Sequence, residues 1–303
     1  MAMPPHATTF ERIWRRLYLA FCAGVFLFLI APIIVIVPLS FNAEPYFTFT
    51  REMLALDPDG FSLRWYDRLL THGMTAPDAV RDGAWWADAW ANSQWIHAAR
   101  NSFVIGISST LIATGLGTLA ALGLSRPEMP FRRAIMALLI SPMIVPMIIS
   151  ATGLFFFYSK AGLAHTYIGI VLAHAMLGIP FVIITVTATL AGFDRSLIHA
   201  AASLGAPPVT TFRKVILPLI LPGVISGALF AFVTSFDEVV VVLFVASYDQ
   251  QTIPLQMWNG IREQISPTIL AAATILILFS IALLTTLELL RRRTERLRGL
   301  TPG

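Results

Sequence analysis

Two adjacent carboxylates, Asp237 and Glu238, are the residues of this sequence best suited to do chemistry. They interrupt the stretch SFDEVVVVLF, residues 235–244, which is otherwise rich in Phe and Val. An unpaired charge in lipid costs about 2.5–3.5 kcal/mol, so each carboxylate needs water, a partner or a proton. The pair predicts either a path for a cationic substrate or a structural role as an ion pair or helix cap.

A second stretch, HAAASLGAPPVTTFRKVILP at residues 199–218, has the composition of a surface that binds another protein. Residues 196–212 contain no Asp, Glu, Lys or Arg, yet they are too polar and too interrupted to cross lipid. Small side chains without charge suit a surface that a partner buries. The alternative is an ordinary connecting loop, although most such loops are shorter.

Glycine and proline divide this second stretch into two short helices. We expect an Ala-rich helix over 196–204 that ends at Gly205, a residue typical of helix C-termini. Pro207 and Pro208 prevent its continuation and predict an extended corner. A second helical piece over 209–217 should then stop near Pro218.

The composition excludes several classes of protein. Of the 303 residues, 56% are hydrophobic and only 13% are charged, whereas soluble domains carry about a quarter charged residues. The single cysteine, Cys22, allows no internal disulfide, and the six His show no paired metal-ligand spacing. The chain has no G-x-x-x-x-G-K-[ST] phosphate loop. We therefore expect a membrane protein that is not an enzyme, holds no metal or cofactor and binds no nucleic acid.

Six windows free of acidic and basic residues are long and apolar enough to cross a membrane, which takes about 20 residues. Backbone hydrogen bonding in lipid then requires helices. The fold class is therefore predicted as an all-α polytopic membrane protein with six transmembrane helices. The windows are 17–43, 101–125, 134–159, 161–193 (trimmed to 165–190), 215–236 and 264–287.

The distribution of Arg predicts the orientation. The positive-inside rule places the Arg-rich segments, which include both termini and the loop after the fourth span, in the cytoplasm. At 1.5 Å per residue, Asp237 then lies about 22–28 Å along the fifth span, in its outer half. We expect one membrane domain over 1–303, with a first span at 17–41, a periplasmic loop at 42–100, a five-span core at 101–290, a cytoplasmic loop at 191–214 and a basic cytoplasmic tail at 291–303.

Tryptophan is concentrated in the periplasmic loop just before the second span. The stretch AWWADAWANSQW contains Trp85, Trp86, Trp90 and Trp95. Because Trp favours the membrane interface, we expect a short helix lying on the outer leaflet. The alternative is a contact surface for a binding protein.

The second stretch resembles the coupling motif of membrane subunits of binding-protein-dependent ABC importers. That motif reads Glu-Ala-Ala, three residues, Gly, nine residues, then an aliphatic residue, any residue, Leu and Pro. In this sequence the matching or adjacent residues are His199, Ala200, Ala201, Gly205, Ala206, Val215, Leu217 and Pro218. The resemblance implies docking into a cleft of an ATPase subunit. His199 replaces the motif's Glu, so either a matched ATPase accommodates an imidazole there or the side chain is solvated.

Over residues 61–290 the sequence is most similar to spermidine/putrescine-type permeases, with FSLRWY at 61–66 and SFDEVVVVLF among the shared features. The resemblance implies a type I importer permease fold and a substrate path with Ser235, Phe236, Asp237, Glu238 and Met147 as candidates. Met147 stands where those permeases often carry an acid. The resemblance implies a polyamine as the solute, whereas Met147 favours the alternative, which is another organic cation or an opine-like compound.

The same resemblance implies an assembly in the bacterial inner membrane. Its other members would be a second permease subunit, a dimer of ABC ATPases that bind ATP and Mg, and a periplasmic binding protein. The rival classes are an ion-driven secondary transporter, which would show an inverted repeat, and a membrane enzyme, which would need converging catalytic groups. Neither feature is present in the sequence. Pro142 and Pro146 predict a bent third span, and Gly223 and Gly227 fit close helix packing.

Overall fold

The computed structural model of the protein describes residues 8–126, 128–194, 196–263 and 265–297, with side chains for all of these except 287, 288 and 290–297. The basic residues Arg195 and Arg298 of the orientation argument lie outside the described residues. The α-helices in this part of the chain are α1 (Thr9–Leu39), α2 (Arg51–Leu54), α3 (Arg64–Thr71), α4 (Gly83–Asn92), α5 (Gln94–Leu124), α6 (Arg132–Ile144), α7 (Met147–Ala161), α8 (Tyr167–Ala191), α9 (Ser196–Ser203), α10 (Pro208–Thr211), α11 (Leu217–Phe236), α12 (Val240–Val245), α13 (Ile253–Glu263) and α14 (Thr268–Leu297).

The all-helical fold class is confirmed. Among the described residues, five helical segments are long and apolar enough to cross a membrane, and a bent pair makes a sixth span if it is counted as one. The bent pair is α6 and α7, which meet at an angle of 101°. Val145 at the bend is extended, with φ −70° and ψ 133°, because the residue before Pro146 avoids helical geometry. The predicted bend in the third span is therefore confirmed.

The chain divides into two compact units, one formed by the residues up to 72 and those from 260 onward, the other by residues 73–259. In the first unit α14 packs against α1 and α3. The turn after α1 is fixed by Trp65, whose Nε1 donates to the carbonyl of Asn42 at 2.7 Å, and by a 2.7 Å hydrogen bond between Tyr66 and Ser40.

The second unit is built on three helices, α5, α8 and α11, which pack against one another. Its buried contacts are made by small and β-branched residues such as Ala113, Val182 and Ala231. Gly227 allows α11 to approach α8 closely, because a Cβ there would lie 2.8 Å from the Cα of Val182. Gly223 meets Thr189 in the same way, so the close packing expected from this spacing is confirmed.

We distinguish two ends of the second unit. The coupling end carries α9 and α10, together with the last turns of α5 and α8. The distal end carries the loop 247–252 and the first turns of α5 and α8. The helix α11 runs from the coupling end to the distal end.

The expectation that a second short helix stops near Pro218 is wrong. α10 continues through a π-helical turn, Phe212–Ile216, into α11, and Pro208–Phe236 forms one 29-residue span. The main-chain N–H of Leu217 donates to the carbonyl of Phe212, five residues back. This wider turn places Pro218 in the first turn of α11, where a missing N–H is tolerated.

The short helix predicted in the loop 42–100 is present as α4. Asp82 caps its N-terminus by accepting from the N–H of Trp85 at 2.9 Å. Trp85 is buried and donates through Nε1 to the carbonyl of Pro77 at 3.0 Å. Trp86 and Trp90, one turn apart, are exposed. Their placement on the outer leaflet stays a prediction.

Candidate functional site

The two carboxylates lie at a break in the chain between α11 and α12. The two acids do not follow each other along one continuous helix, because α11 ends at Phe236. Asp237 is the C-cap residue, and its N–H donates to the carbonyl of Val233 at 3.0 Å. The break therefore separates the roles of the two acids more sharply than helix geometry would.

Glu238 is buried and caps the short helix α12. Its side chain is 8% exposed, and its Oε1 accepts from the main-chain N–H of Val241 at 2.9 Å. A carboxylate at this position satisfies one of the unpaired N–H groups and opposes the positive end of the helix dipole. The helix-cap alternative weighed for this pair thus describes the position of Glu238.

Asp237 is exposed and directly follows Phe236 in the chain. Within the described residues its carboxylate makes no hydrogen bond. Phe236 contacts the rings of Phe103 and Phe232, each at a centroid distance of 5.3 Å. An exposed carboxylate next to aromatic side chains can attract a cation through both its charge and the ring faces.

The other path candidates lie in different surroundings. Ser235 is buried, because its hydroxyl is hydrogen-bonded to His174 and Ser109 at helix contacts. A place for Ser235 in a substrate path stays a prediction. Met147 is the first residue of α7 and packs against the core cluster that contains Val241. Phe236 and Asp237 thus lie at the end of α11, whereas Ser235 is buried at the contacts between helices.

Sequence reasoning missed His174. Its imidazole is 1% exposed and lies in the interior of α8, an otherwise apolar helix. We had treated the six His as scattered residues without metal spacing. An ionisable side chain within a predicted span was itself a signal, since such residues are costly and usually functional.

The coupling end is built around a sharp corner at Gly205. After α9 the N–H of Gly205 donates to the carbonyl of Ala202 at 2.9 Å, and the N–H of Ala206 donates to that of Ala201 at 3.0 Å. This pattern is a Schellman motif, which requires a left-handed residue, and Gly205 has φ +74°. The predicted helix end at Gly205 is confirmed.

The corner between α9 and α10 has exposed apolar side chains, and a cavity lies beside α9. Leu204, which is 87% exposed, and Val209, which is 63% exposed, present apolar side chains outward at the corner. His199 lines a cavity of about 620 Å³ between the corner and the ends of α5 and α8. Arg126 and Glu128 line the same cavity. His199 is itself exposed, as the hypothesis of a solvated side chain describes, and its contact with an ATPase stays a prediction.

The membrane-spanning helices, with the bent pair α6 and α7, have the fold of a type I importer permease. The chain superposes with a TM-score of 0.69 on a structure titled as a bacterial ABC transporter involved in the import of the acidic polysaccharide alginate, covering 94% of this chain and 99% of that chain at 16% identity. The chain belongs to the family of binding-protein-dependent transport system inner membrane components, whose family model matches residues 113–296.

Several relatives are named as polyamine permeases. The chain is 33% identical to the spermidine/putrescine transport system permease protein PotC of Haemophilus influenzae over 276 residues, which cover 91% of this chain and 96% of PotC. It is 30% identical to the putrescine transport system permease protein PotI of Escherichia coli over 262 residues, which cover 83% of this chain and 82% of PotI. It is also 34% identical over 175 residues to a probable molybdenum ABC transporter permease of Haloferax volcanii, covering 55% of this chain and 65% of that protein. The resemblance to polyamine permeases is confirmed.

Proposed function

We propose that this chain is one of two permease subunits of an ATP-driven importer in the bacterial inner membrane, and that it forms part of the path for a polyamine such as spermidine or putrescine. The observation that carries the proposal is the exposed Asp237 carboxylate at the end of α11. The names of PotC and PotI support the same class of solute.

A break in a transmembrane helix suits a cationic solute for electrostatic reasons. The last carbonyls of α11 point towards the break and give it partial negative charge, to which Asp237 adds a full charge. The neighbouring ring of Phe236 offers a face that attracts ammonium groups. Discontinuous helices form ion and substrate sites in other transporters by the same principle.

The coupling end supports docking to an ATPase dimer that binds ATP and Mg. An apolar side chain as exposed as Leu204 gains by burial in a partner's groove, about 25 cal/mol for each Å² removed from water. Its uncharged neighbours Ala200 and Ala201 allow close approach. With both termini and this corner in the cytoplasm, as the Arg distribution predicts, a second permease would pair in the membrane and a periplasmic binding protein would deliver the solute.

One continuous element joins the two functional regions. The span Pro208–Phe236 begins at the corner and ends one residue before Asp237. At 1.5 Å per residue its 29 residues extend about 43 Å. A displacement of the corner by a closing ATPase dimer would therefore reach Asp237 along a single helix, which is how we expect ATP binding to open the path.

The alternative solute is another organic cation or an opine-like compound. Met147 supports this alternative, because it lacks the carboxylate that a polyamine permease often carries at that position. The ion-driven transporter remains the rival class. Uptake that survives ATP depletion, by a chain that does not copurify with an ATPase, would favour it.

The test is uptake of labelled putrescine and spermidine by cells that express the chain with its cognate partner subunits. Asp237→Asn keeps the shape of the side chain and removes its charge, and we expect about tenfold lower uptake, corresponding to about 1.4 kcal/mol. Asp237→Glu, which keeps the charge, should retain more uptake. Normal uptake by Asp237→Asn, with unchanged amounts of complex in the membrane, would contradict the proposal.

A further inference from the structure

Three helices of the second unit are tied together by hydrogen bonds at one buried point. The Nδ1 atom of His174 on α8 lies 2.7 Å from the hydroxyl of Ser235 on α11, within a hydrogen bond whose donor depends on the imidazole tautomer. The hydroxyl of Ser109 on α5 donates to Ser235 at 3.0 Å. All three side chains are at most 4% exposed.

The tie is made in the last turn of α11, next to the break. The N–H of Asp237 donates to Val233, so the turn that contains Ser235 is the turn that Asp237 closes. A change at Ser235 can therefore reach Asp237 through the hydrogen-bonded last turn of α11. The position of the exposed carboxylate depends on what holds the hydroxyl of Ser235.

The imidazole of His174 has a buried polar atom that the hydrogen bond to Ser235 does not use. Its second nitrogen, Nε2, is buried and has no hydrogen-bond partner in the described part of the chain. Buried polar atoms in proteins are nearly always paired, so a side chain with an unpaired atom needs a reason to be there. A Ser or Asn could make the single bond to Ser235 at a lower desolvation cost.

We propose that His174 is a positioning residue that, through Ser235, sets the place of Asp237 at the end of α11. Its effect on uptake rests on the proposed function, whereas its effect on the position of residue 237 does not. The inference gives a role to the buried hydrogen bonds that Ser235 makes with Ser109 and His174.

The position of residue 237 can be measured without knowing the solute. In a Cys22→Ala background, Asp237→Cys becomes the only thiol of the chain, and its rate of labelling by a membrane-impermeant cationic thiosulfonate reports its surroundings. The measurement uses the assembled transporter in membrane vesicles. Each variant is compared with the Cys22→Ala, Asp237→Cys parent at equal amounts of complex.

Variants at His174 separate the hydrogen bond from the bulk of the side chain. His174→Leu should change the labelling rate about fivefold, the factor that corresponds to one buried hydrogen bond. His174→Asn places an amide where Nδ1 lies and should restore the rate of the parent. Thr187→Val is the matched control, because Thr187 is on the same helix and also has a buried, unpaired polar atom. It should leave the rate unchanged.

Two results would overturn the inference. An unchanged rate in His174→Leu would show that the tie does not position residue 237, and an equal change in His174→Leu and His174→Asn would show that only the ring volume matters. If the His174 variants do not assemble, Ser235→Ala and Ser109→Ala provide the same comparison. Ser235→Ala removes both bonds and must change the rate, with a smaller change in Ser109→Ala; an unchanged Ser235→Ala rate would also overturn the inference.

The outcome is separable from that of the proposed function. With Asp237 in place, His174→Leu should raise the KM for polyamine uptake about fivefold, and His174→Asn should rescue it. If the unmodified transporter takes up no polyamine while labelling still follows the hydrogen bond, the proposed solute is wrong and the positioning role stands. If polyamine uptake is normal and the labelling rate is the same in the His174 variants as in the parent, the proposed solute stands and the positioning role is wrong.

Discussion

The two ends of the second unit are held together by different kinds of hydrogen bond. At the distal end, the amide of Asn101 donates to the carbonyls of Asp249 at 2.8 Å and Gln251 at 2.9 Å, about 150 positions away in sequence. The hydroxyl of Tyr167 donates to the Oδ1 atom of Asn101 at 2.8 Å. These bonds connect α5, α8 and the loop 247–252, and Asn101 is only 3% exposed.

At the coupling end the side-chain hydrogen bonds that the structure describes for α9 and α10 are local. Ser203 donates to the carbonyl of His199, and Thr211 donates to that of Pro207, each four positions away. Such bonds shape each turn without attaching it to the rest of the bundle. The distal end therefore supplies its own rigidity, whereas the coupling end has an exposed surface and a cavity behind it, as expected of a segment that a partner holds in place.

The largest effect is expected at the corner between α9 and α10, where the difference between the two ends can be tested directly. If a partner buries Leu204, then Leu204→Asp places a charge in an apolar groove, and we expect uptake to fall more than about tenfold while the permease subunits still assemble. Copurification of the ATPase should fall in parallel. Leu204→Met keeps an apolar side chain and should preserve both. Normal uptake by Leu204→Asp would show that the corner is simply a solvated loop.

Substitutions of Gly205 provide a second test of the same corner. Its positive φ costs a residue with a side chain about 1–2 kcal/mol, although no atom of this chain lies within 4 Å of an added Cβ. Gly205→Ala should therefore weaken coupling modestly, and Gly205→Asp, which also adds charge at the docking surface, should abolish uptake. Equal effects of the two variants would attribute the role of Gly205 to backbone strain alone.

The sequence predicted those features that lipid and backbone geometry impose. Hydrogen bonding in the membrane requires helices, so the uncharged windows located the spans, and Gly205 and Pro146 marked the corner and the bend. What escaped prediction depends on tertiary contacts. The π-helical turn that carries α10 past Pro218 and the end of α11 at Phe236 are choices of hydrogen-bond partner that no local pattern specifies.

The same limit applies to the site. The sequence identified both acids. It could not show that the carboxylate of Glu238 accepts a hydrogen bond at the start of α12 while Asp237 remains exposed. Nor could it show that His174 meets Ser235, because the two residues are 61 positions apart. Which polar atoms meet inside the bundle follows from the helix packing, and that packing was not available to the sequence argument.

The distal end can be weakened at Asn101. Asn101→Leu removes three hydrogen bonds and leaves the carbonyl of Gln251 without its donor, while Tyr167 can still donate to the carbonyl of Asp249 at 3.1 Å. We expect a loss of about 2–3 kcal/mol. In detergent this should lower the thermal unfolding midpoint of the chain by roughly 5–10 °C. Tyr167→Phe should lower it less. Ser203→Ala at the coupling end should not change it, and an equal fall there would remove the distinction between the two ends.

Substitutions of Glu238 test the hydrogen bonding at the break between α11 and α12, and their expected effects are smaller. Glu238→Ala removes the cap of α12 and should cost about 1 kcal/mol, a fall of roughly 2–4 °C in the unfolding midpoint. Glu238→Gln retains a carbonyl oxygen that can accept from Val241 and should cost less. Its uptake should also exceed that of Asp237→Asn. If Glu238→Gln lost more uptake than Asp237→Asn, the assignment of the two acids would have to be reversed.

The smallest effect is expected at Asp88, which ties the loop before α4 to that helix at the distal end. Its carboxylate accepts from the side chain of Asn92 and from the main-chain N–H groups of Thr75 and Ala76, at 3.1 and 3.0 Å for the latter two. The hydrogen bond from Asn92, followed by those from the backbone, lowers the pKa of Asp88 below its usual value.

A lowered folded-state pKa fixes the sign of the pH dependence. The contribution of Asp88 is fully present above the pKa of an unfolded Asp and is lost as the pH falls through the lower, folded value. Limited proteolysis of the loop 73–82 should therefore be faster in Asp88→Asn than in the parent at pH 7, and the two rates should converge in acid. Asp78→Asn, whose carboxylate makes no hydrogen bond within the described residues, should match the parent throughout. A constant difference between Asp88→Asn and the parent down to acid pH would mean that the shape of the side chain, and not its charge, holds this loop.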